Sequence, residues 1–188
     1  HARPVLDVRT QTVTKVIVQR GRAQVKLEVT PVLRGCVFAP ETRDVHRFVE
    51  NRFGYARAQL VSFPDLYAGK LVAALDRQHP RDLFDVRELL ANEGIDERTR
   101  QAFLAYLISH DRPIAEVLEA RPKDLRATYR TEFEGMTSDA TTATVEDLIA
   151  ARTALVHDLV AGMPRAHRAF LIGFKRGEPD WDLTGVPQ

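Results

Sequence analysis

The stretch Asp65-Leu-Tyr-Ala-Gly-Lys70-Leu-Val-Ala-Ala-Leu-Asp-Arg77-Gln-His79-Pro80-Arg81-Asp82-Leu-Phe-Asp85-Val-Arg87 decides how this chain is read. It is dense in charge, yet its charges sit among apolar residues at helical spacing. Lys70 and Arg77 are two turns apart on one helical face, and Leu66, Leu71, Ala74 and Leu75 supply the apolar stripe beside them. His79-Pro80 predicts the end of that helix and the start of another, because proline suits a first helical turn and not an interior. Asp82 and Asp85 then share a face of the second helix. The spacing predicts a tight helical corner that aims a lysine, one or two arginines and two carboxylates at one volume, which suits a phosphate and its metal ion. The same spelling also occurs on solvated helices, where arginine–aspartate pairs and an acidic first turn are ordinary. Spacing alone leaves both readings open.

Upstream, Val25-Lys-Leu-Glu28-Val-Thr-Pro-Val-Leu-Arg34-Gly35 alternates apolar and polar residues through Val29, as a half-buried strand does. Val13 to Val18 reads as its partner and Gln19-Arg-Gly-Arg22 as the hairpin turn between them. Glu28 falls in the opposite alternation set from Leu27 and Val29. Taken alone, it is a solvent-facing strand residue. A short extended piece around Cys36 to Phe38 leads to an expected helix over about 42–52 and a further strand over 56–63, after which Asp65 can cap or charge-complement the lysine helix.

Nearly everything after Pro64 reads as helix. Asn92-Glu-Gly94 ends the Arg-Asp helix, Asp96 caps the next one, and Asp111-Arg-Pro113 breaks it. Short helices are expected from Ile114 to Leu118 and from Pro122 toward Phe133, with an exposed connector from Gly135 to Thr144. Thr144-x-Glu146-Asp147 predicts the capped start of a helix to about Ala161, and Phe170, Leu171 and Phe174 mark a final one. The expected domains are 1–63, a small α/β piece, 64–176, a helical domain, and 177–188, an irregular tail.

Composition limits the function classes. Of 188 residues, 44% are hydrophobic and 28% charged, which describes a folded globular chain and not a disordered one. A net charge of +1 gives no bulk argument for nucleic-acid binding, although Pro164-Arg-Ala-His-Arg168 and Lys175-Arg176 make the last helix locally basic. No apolar run approaches a membrane span and the first residues do not spell a signal peptide. The single cysteine, Cys36, excludes an intrachain disulfide framework; it fits a reducing cytoplasm and is expected to pack at a strand end. The six histidines show no paired ligand spacing, and Arg20-Gly-Arg22 and Arg34-Gly35 are too short to cradle phosphate. His79 is expected to cap or turn the corner, and Trp181 to anchor packing.

A helical Lys70, a small-residue turn, Arg77, and then Arg81-Asp82-x-x-Asp85 occur in the order that marks the AbiEii/AbiGii-type nucleotidyltransferase family, the toxin half of type IV toxin–antitoxin pairs. The chain resembles that family over roughly residues 12 to 175. The resemblance implies an α+β fold, a partial nucleotidyltransferase-like small sheet followed by an α-helical bundle. It implies a metal-dependent, cytoplasmic enzyme that moves a nucleotidyl group from a nucleoside triphosphate (NTP) to an acceptor hydroxyl, with tRNA as acceptor class, Mg2+ as cofactor and a cognate antitoxin as partner. Under it, Lys70 neutralises the triphosphate and Asp82 orients Lys70 or acts as base toward the acceptor. Arg77 and Arg81 contact phosphates, Asp85 and His79 support them, and Glu28 corresponds to a strand-borne acidic residue that assists the metal.

The family also carries an upstream Gly-Gly or Gly-Ser segment followed by an Asp-x-Asp strand. None precedes Val13, and Asp180-Trp-Asp182 has the spelling without the glycine-led strand. With His1 at its head, the chain is expected to be a fragment lacking the amino-terminal part of the catalytic domain, and incomplete as a catalyst by itself. Two alternatives stand beside this reading: a catalytically inactive nucleotide- or RNA-binding module, and a helical interaction domain that docks an antitoxin.

Overall fold

A computed structural model describes residues 1–9, 11–28, 35–138 and 142–186. Val29, Arg34 and the middle of the expected 135–144 connector lie outside the described residues. The chain divides into two units, 1–35 and 36–188, so the expected boundary at 63/64 falls within the second.

The first unit is an antiparallel sheet of β1 (Ala2–Leu6), β2 (Val13–Arg20) and β3 (Ala23–Glu28), in the order β1-β2-β3. Directly opposed residues share a face, so Pro4, Val16 and Leu27 form one row and Val5, Lys15 and Glu28 a row on the other side. Glu28 therefore sits on the face opposite Leu27, as its alternation predicts. Gly21, at φ +59°, opens the two-residue loop between β2 and β3, a position that demands left-handed backbone in such hairpins. Strand β1 is absent from the sequence reading; its Pro4 is tolerated because β1 is an edge.

In the second unit, β4 (Glu41–Asp44) and β5 (Arg57–Leu60) pair antiparallel around α1 (Arg47–Phe53). The expected helix from Thr42 is thus corrected: its first turn is strand. Asp44 stands opposite Arg57 in the register and accepts from its Nε at 2.6 Å and from the Tyr55 hydroxyl at 2.8 Å. The helix begins only where His46 Nδ1 accepts the Phe48 amide at 3.3 Å. Cys36 is exposed, not packed at a strand end.

Helix α2 (Phe63–Asp76) is the hub of the helical part. It packs on α3 (Pro80–Asn92), α4 (Glu97–Ile108), α5 (Ile114–Leu118) and α7 (Val145–Val156). Ala68, Leu71, Val72, Ala74 and Leu75 are buried, a stripe wide enough to face several neighbours at once. Its amino terminus is held by an unusual carboxylate. Asp65 is 1% exposed and accepts the Ser62 hydroxyl at 2.6 Å and the backbone amides of Val37 and Phe38 at 2.7 and 3.0 Å. A buried charge is tolerated when its oxygens are fully bonded and it faces a helix amino terminus, and all these donors do so here.

Helix α6 (Arg126–Glu132) starts later than the Pro122 signal suggested. Thr144 and Asp147 form the expected reciprocal cap of α7, with bonds of 2.8 Å (Thr144 amide to Asp147) and 3.1 Å (Asp147 amide to Thr144). The end of α7 widens into a π turn over His157–Ala161, and two arginines take carbonyls there: Arg100 donates to Asp158 O at 2.8 Å and Arg168 to Val160 O at 3.2 Å. The last helix, α8 (Arg165–Arg176), packs Phe170 and Phe174 against Trp181, at ring-centroid distances of 5.3 and 6.4 Å. Trp181 belongs to a short 3-10 turn within the tail read as irregular, and Asp180 caps that turn by accepting the Asp182 amide at 3.2 Å. Among the described residues, no helix is long and apolar enough to cross a membrane.

His167 on α8 is buried, with Glu97 Oε1 3.4 Å from its Nε2. Burial holds its imidazole below the usual range; Glu97 opposes that and Arg100 adds to it. A histidine kept neutral by the fold charges first in the unfolded chain, so its contribution is complete above the unfolded value near ~6.5 and falls as pH drops through the folded value. Thermal melts of the native protein should lose stability from pH 7.5 to 5.5, and His167→Gln should flatten that slope. Parallel slopes in the two proteins would remove His167 as the cause.

Candidate functional site

The corner between α2 and α3 is built by capping and by one strained residue. Arg77 ends α2 and Gln78 follows at φ +53°, a left-handed position usually given to glycine. Gln78 is 3% exposed and its amide makes three side-chain hydrogen bonds. Nε2 donates to Arg121 O at 3.0 Å, while Oε1 accepts the Lys123 amide at 3.0 Å and Arg152 Nη1 at 3.1 Å. Lys123 Nζ in turn donates to the last carbonyls of α2, at 3.0 Å from Arg77 O and 3.4 Å from Asp76 O. His79 caps α3 as expected, its Nδ1 accepting the Arg81 amide at 3.1 Å. Because Nδ1 accepts, Nε2 carries the proton, and it donates to Glu132 Oε2 at 3.1 Å.

The two helices run back against each other with two ion pairs between them. Lys70 Nζ bonds Asp85 Oδ2, and Arg77 Nη2 bonds Asp82 Oδ1 at 2.8 Å. Lys70 is thus held by Asp85, and of the two roles expected for Asp82, orienting Lys70 or acting as base, the first falls to Asp85; a span of fifteen residues across the corner suits the Lys70 pairing and a tight span of five the Arg77 pairing. Farther along α2, Asp76 is bonded by Arg112 and lies 3.3 Å from His110 Nε2. Burial pushes the Asp76 carboxyl up, and these partners outweigh it, leaving the group below the usual carboxylate range.

At the mouth of the corner is a concavity of about 390 Å³ lined by Arg77, His79, Arg81 and Asp82. Four of the six residues expected from the corner motif therefore meet in one volume, and Lys70 and Asp85 pair outside its lining. Arg81 is exposed and has no acidic partner among the described residues. Asp82 is only 14% exposed on its side chain, and its Oδ2 is buried without a hydrogen-bond partner. Two guanidinium groups beside the amino terminus of a 13-residue helix make an anion-accepting mouth, with one carboxylate oxygen left to accept a proton or a donor.

Glu28 lies in the amino-terminal unit, on β3, where Lys26 Nζ is 2.8 Å away. A hydrogen bond and the charge of Lys26, aided by Lys15, hold its exposed carboxyl below the usual range. Among the described residues, no three His, Cys, Asp or Glu side chains stand together as a metal site.

Gln78, Lys123, Arg152 and Glu132 were missing from the sequence reading. Gln78 carried no local signal, since glutamine is not a left-handed residue by preference, and the other three reach the corner only through tertiary folding. Compared with known proteins, residues 3–186 match the family model described as nucleotidyl transferase AbiEii toxin, type IV TA system. No curated protein and no solved structure matches the chain.

Proposed function

We propose that this chain, which belongs to the nucleotidyl transferase AbiEii toxin family of type IV toxin–antitoxin systems, moves a nucleotidyl group from an NTP to an acceptor hydroxyl on tRNA. The observation that carries this reading is the polar concavity in which Arg77 and Arg81 flank the buried, half-unpaired carboxylate of Asp82. In the proposed reaction the acceptor oxygen attacks the α-phosphorus, the α–β bridging bond breaks, and pyrophosphate leaves. Arg77 and Arg81 bind and orient the polyphosphate, and Lys70 adds a point charge about two helical turns from Arg77. The Asp82 carboxylate takes the acceptor's proton. Asp85 holds the Lys70 ammonium, and His79 fixes the corner through its cap and Glu132.

Nucleotidyl transfer generally uses a divalent metal, which stabilises the attacking and leaving oxygens. The described donors do not fit Mg2+: Asp85 is taken by Lys70, Asp82 offers one oxygen, and Glu28 pairs with Lys26. This shortage also favours a second reading, nucleotide binding without transfer.

Incubation with each labelled NTP in turn, bulk tRNA and Mg2+ separates the readings. Label on tRNA with one preferred nucleotide is the expected result. Calorimetric nucleotide binding with no labelled product would select the binding module, and neither binding nor label would leave the interaction domain.

A further inference from the structure

On the side of the helical unit formed by α5 and α8 lies a second concavity, about 410 Å³, whose chemistry the corner does not use. Its floor is aliphatic: Ile114 and Leu118 come from α5, Leu171 and Ile172 from α8, and Val160 and Met163 from the π turn and the link after it. Ile172 is 47% exposed although it is the most apolar side chain on the outer face of α8. Arg168, Lys175 and Arg176 stand along the α8 rim, and only Glu119 stands on the α5 rim as an acid. Among the described residues none of these three cations pairs with an acidic side chain. Arg168 is instead braced on Val160 O at 3.2 Å, which fixes the rim to the floor.

The end of a helix favours basic residues, which accounts for Lys175 and Arg176 as charges. It does not account for an open aliphatic trough beside them. We infer that this trough docks an acidic amphipathic helix of a partner protein, whose aliphatic residues at i, i+4 and i+7 fill the floor while glutamates or aspartates on one flank meet Arg168, Lys175 and Arg176.

Three features of the trough select that occupant. Arg168, Ile172, Lys175 and Arg176 repeat at helical spacing along one face, over about 12 Å of helix rise, so the rim offers charge at the repeat of a packed helix. The aliphatic floor carries no aromatic ring on which a base could stack, and a phosphate backbone would meet only the rim and leave Ile172 and Leu118 in water. The net charge of the rim is positive, so an acidic flank is complementary and a basic one is repelled.

The test uses the full chain and a fluorescent helical peptide with leucines at i, i+4 and i+7 and glutamates along one flank. Its lysine-for-glutamate counterpart and a single-stranded RNA oligonucleotide serve as competing probes, read by anisotropy. The acidic peptide should bind saturably and the basic one should not. Ile172→Glu should weaken binding about tenfold or more. The pair Lys175→Glu and Arg176→Glu should do the same and should gain affinity for the basic peptide. Unchanged melting of these surface variants confirms that they fold. No saturable acidic-peptide binding, or binding indifferent to Ile172→Glu, overturns the inference. So does RNA binding that needs Lys175 and Arg176 but ignores Ile172, which would make this face a nucleic-acid surface.

Discussion

Lys70→Ala is expected to lower nucleotidyl transfer by about 100-fold or more, the scale at which a preorganised charge on the reacting phosphates is lost, while the melting temperature barely moves. The activity side follows from position: Lys70 lies on the face of α2 that leads to Arg77, and the Asp85 carboxylate holds its ammonium group in place. The stability side follows from exposure. The Lys70 and Asp85 side chains are 33% and 37% exposed, so water screens their attraction and the pair contributes about 0–1 kcal/mol. Lys70→Arg keeps the charge but not its compact form, and should recover only part of the rate. Single-turnover transfer and a urea melt on the same preparations check both halves. Equal turnover in Lys70→Ala and wild type would remove Lys70 from the chemistry, and a large fall in stability would make it a structural residue.

Gln78→Ala is expected to be the most destabilising polar substitution in the corner, by about 1–2 kcal/mol, because Gln78 itself is buried while its three partners are only partly so and can turn to water. Its amide serves the Arg121 carbonyl, the Lys123 amide and the Arg152 guanidinium together. Arg152 keeps Lys123 O at 2.9 Å, so its loss is partial. The backbone supplies a control. At φ +53° a side chain costs energy that glycine avoids, so Gln78→Gly should be about 1 kcal/mol more stable than Gln78→Ala. Wild type should still exceed both in urea unfolding. A glycine variant more stable than wild type would show that strain, and not the lost bonds, dominates the site. Since Gln78 precedes His79, loosening it should also lower transfer by disordering Arg77 and Arg81.

Much of the fold was legible because it is written in local chemistry. His79, Asp96 and Thr144 each cap the helix that the sequence placed after them, and Leu71, Ala74 and Leu75 are buried on α2 as their spacing predicts. Ser62, read as strand, instead caps α2, and Leu66 of the expected stripe is 46% exposed. The errors came where a side chain's partner is distant in the chain. Asp44 reads as an early helix residue until Arg57 and Tyr55 draw it into a strand. At the candidate site, spacing predicted a lysine, one or two arginines and two carboxylates at one volume, and the concavity gathers the two arginines and Asp82 with His79 but neither Lys70 nor Asp85. Spacing could not assign which carboxylate takes Lys70, since Asp82 and Asp85 share a face and only the closure of the hairpin chooses between them. Gln78 was invisible for the opposite reason: its backbone conformation runs against its own preference and is imposed by Arg121, Lys123 and Arg152.

The Asp65 carboxylate has a consequence for how the second unit breathes. Segment 36–38 has no regular structure, and a stretch of that kind ordinarily opens alone at little cost. Here its two amides end on a buried carboxylate in the first turn of α2, which also holds Ser62. Releasing the segment strands a charge in the protein interior unless the helix start frays with it. The loop and the first turn of α2 therefore open as one cooperative element. Dynamically, the irregular segment belongs to the helix that carries Lys70.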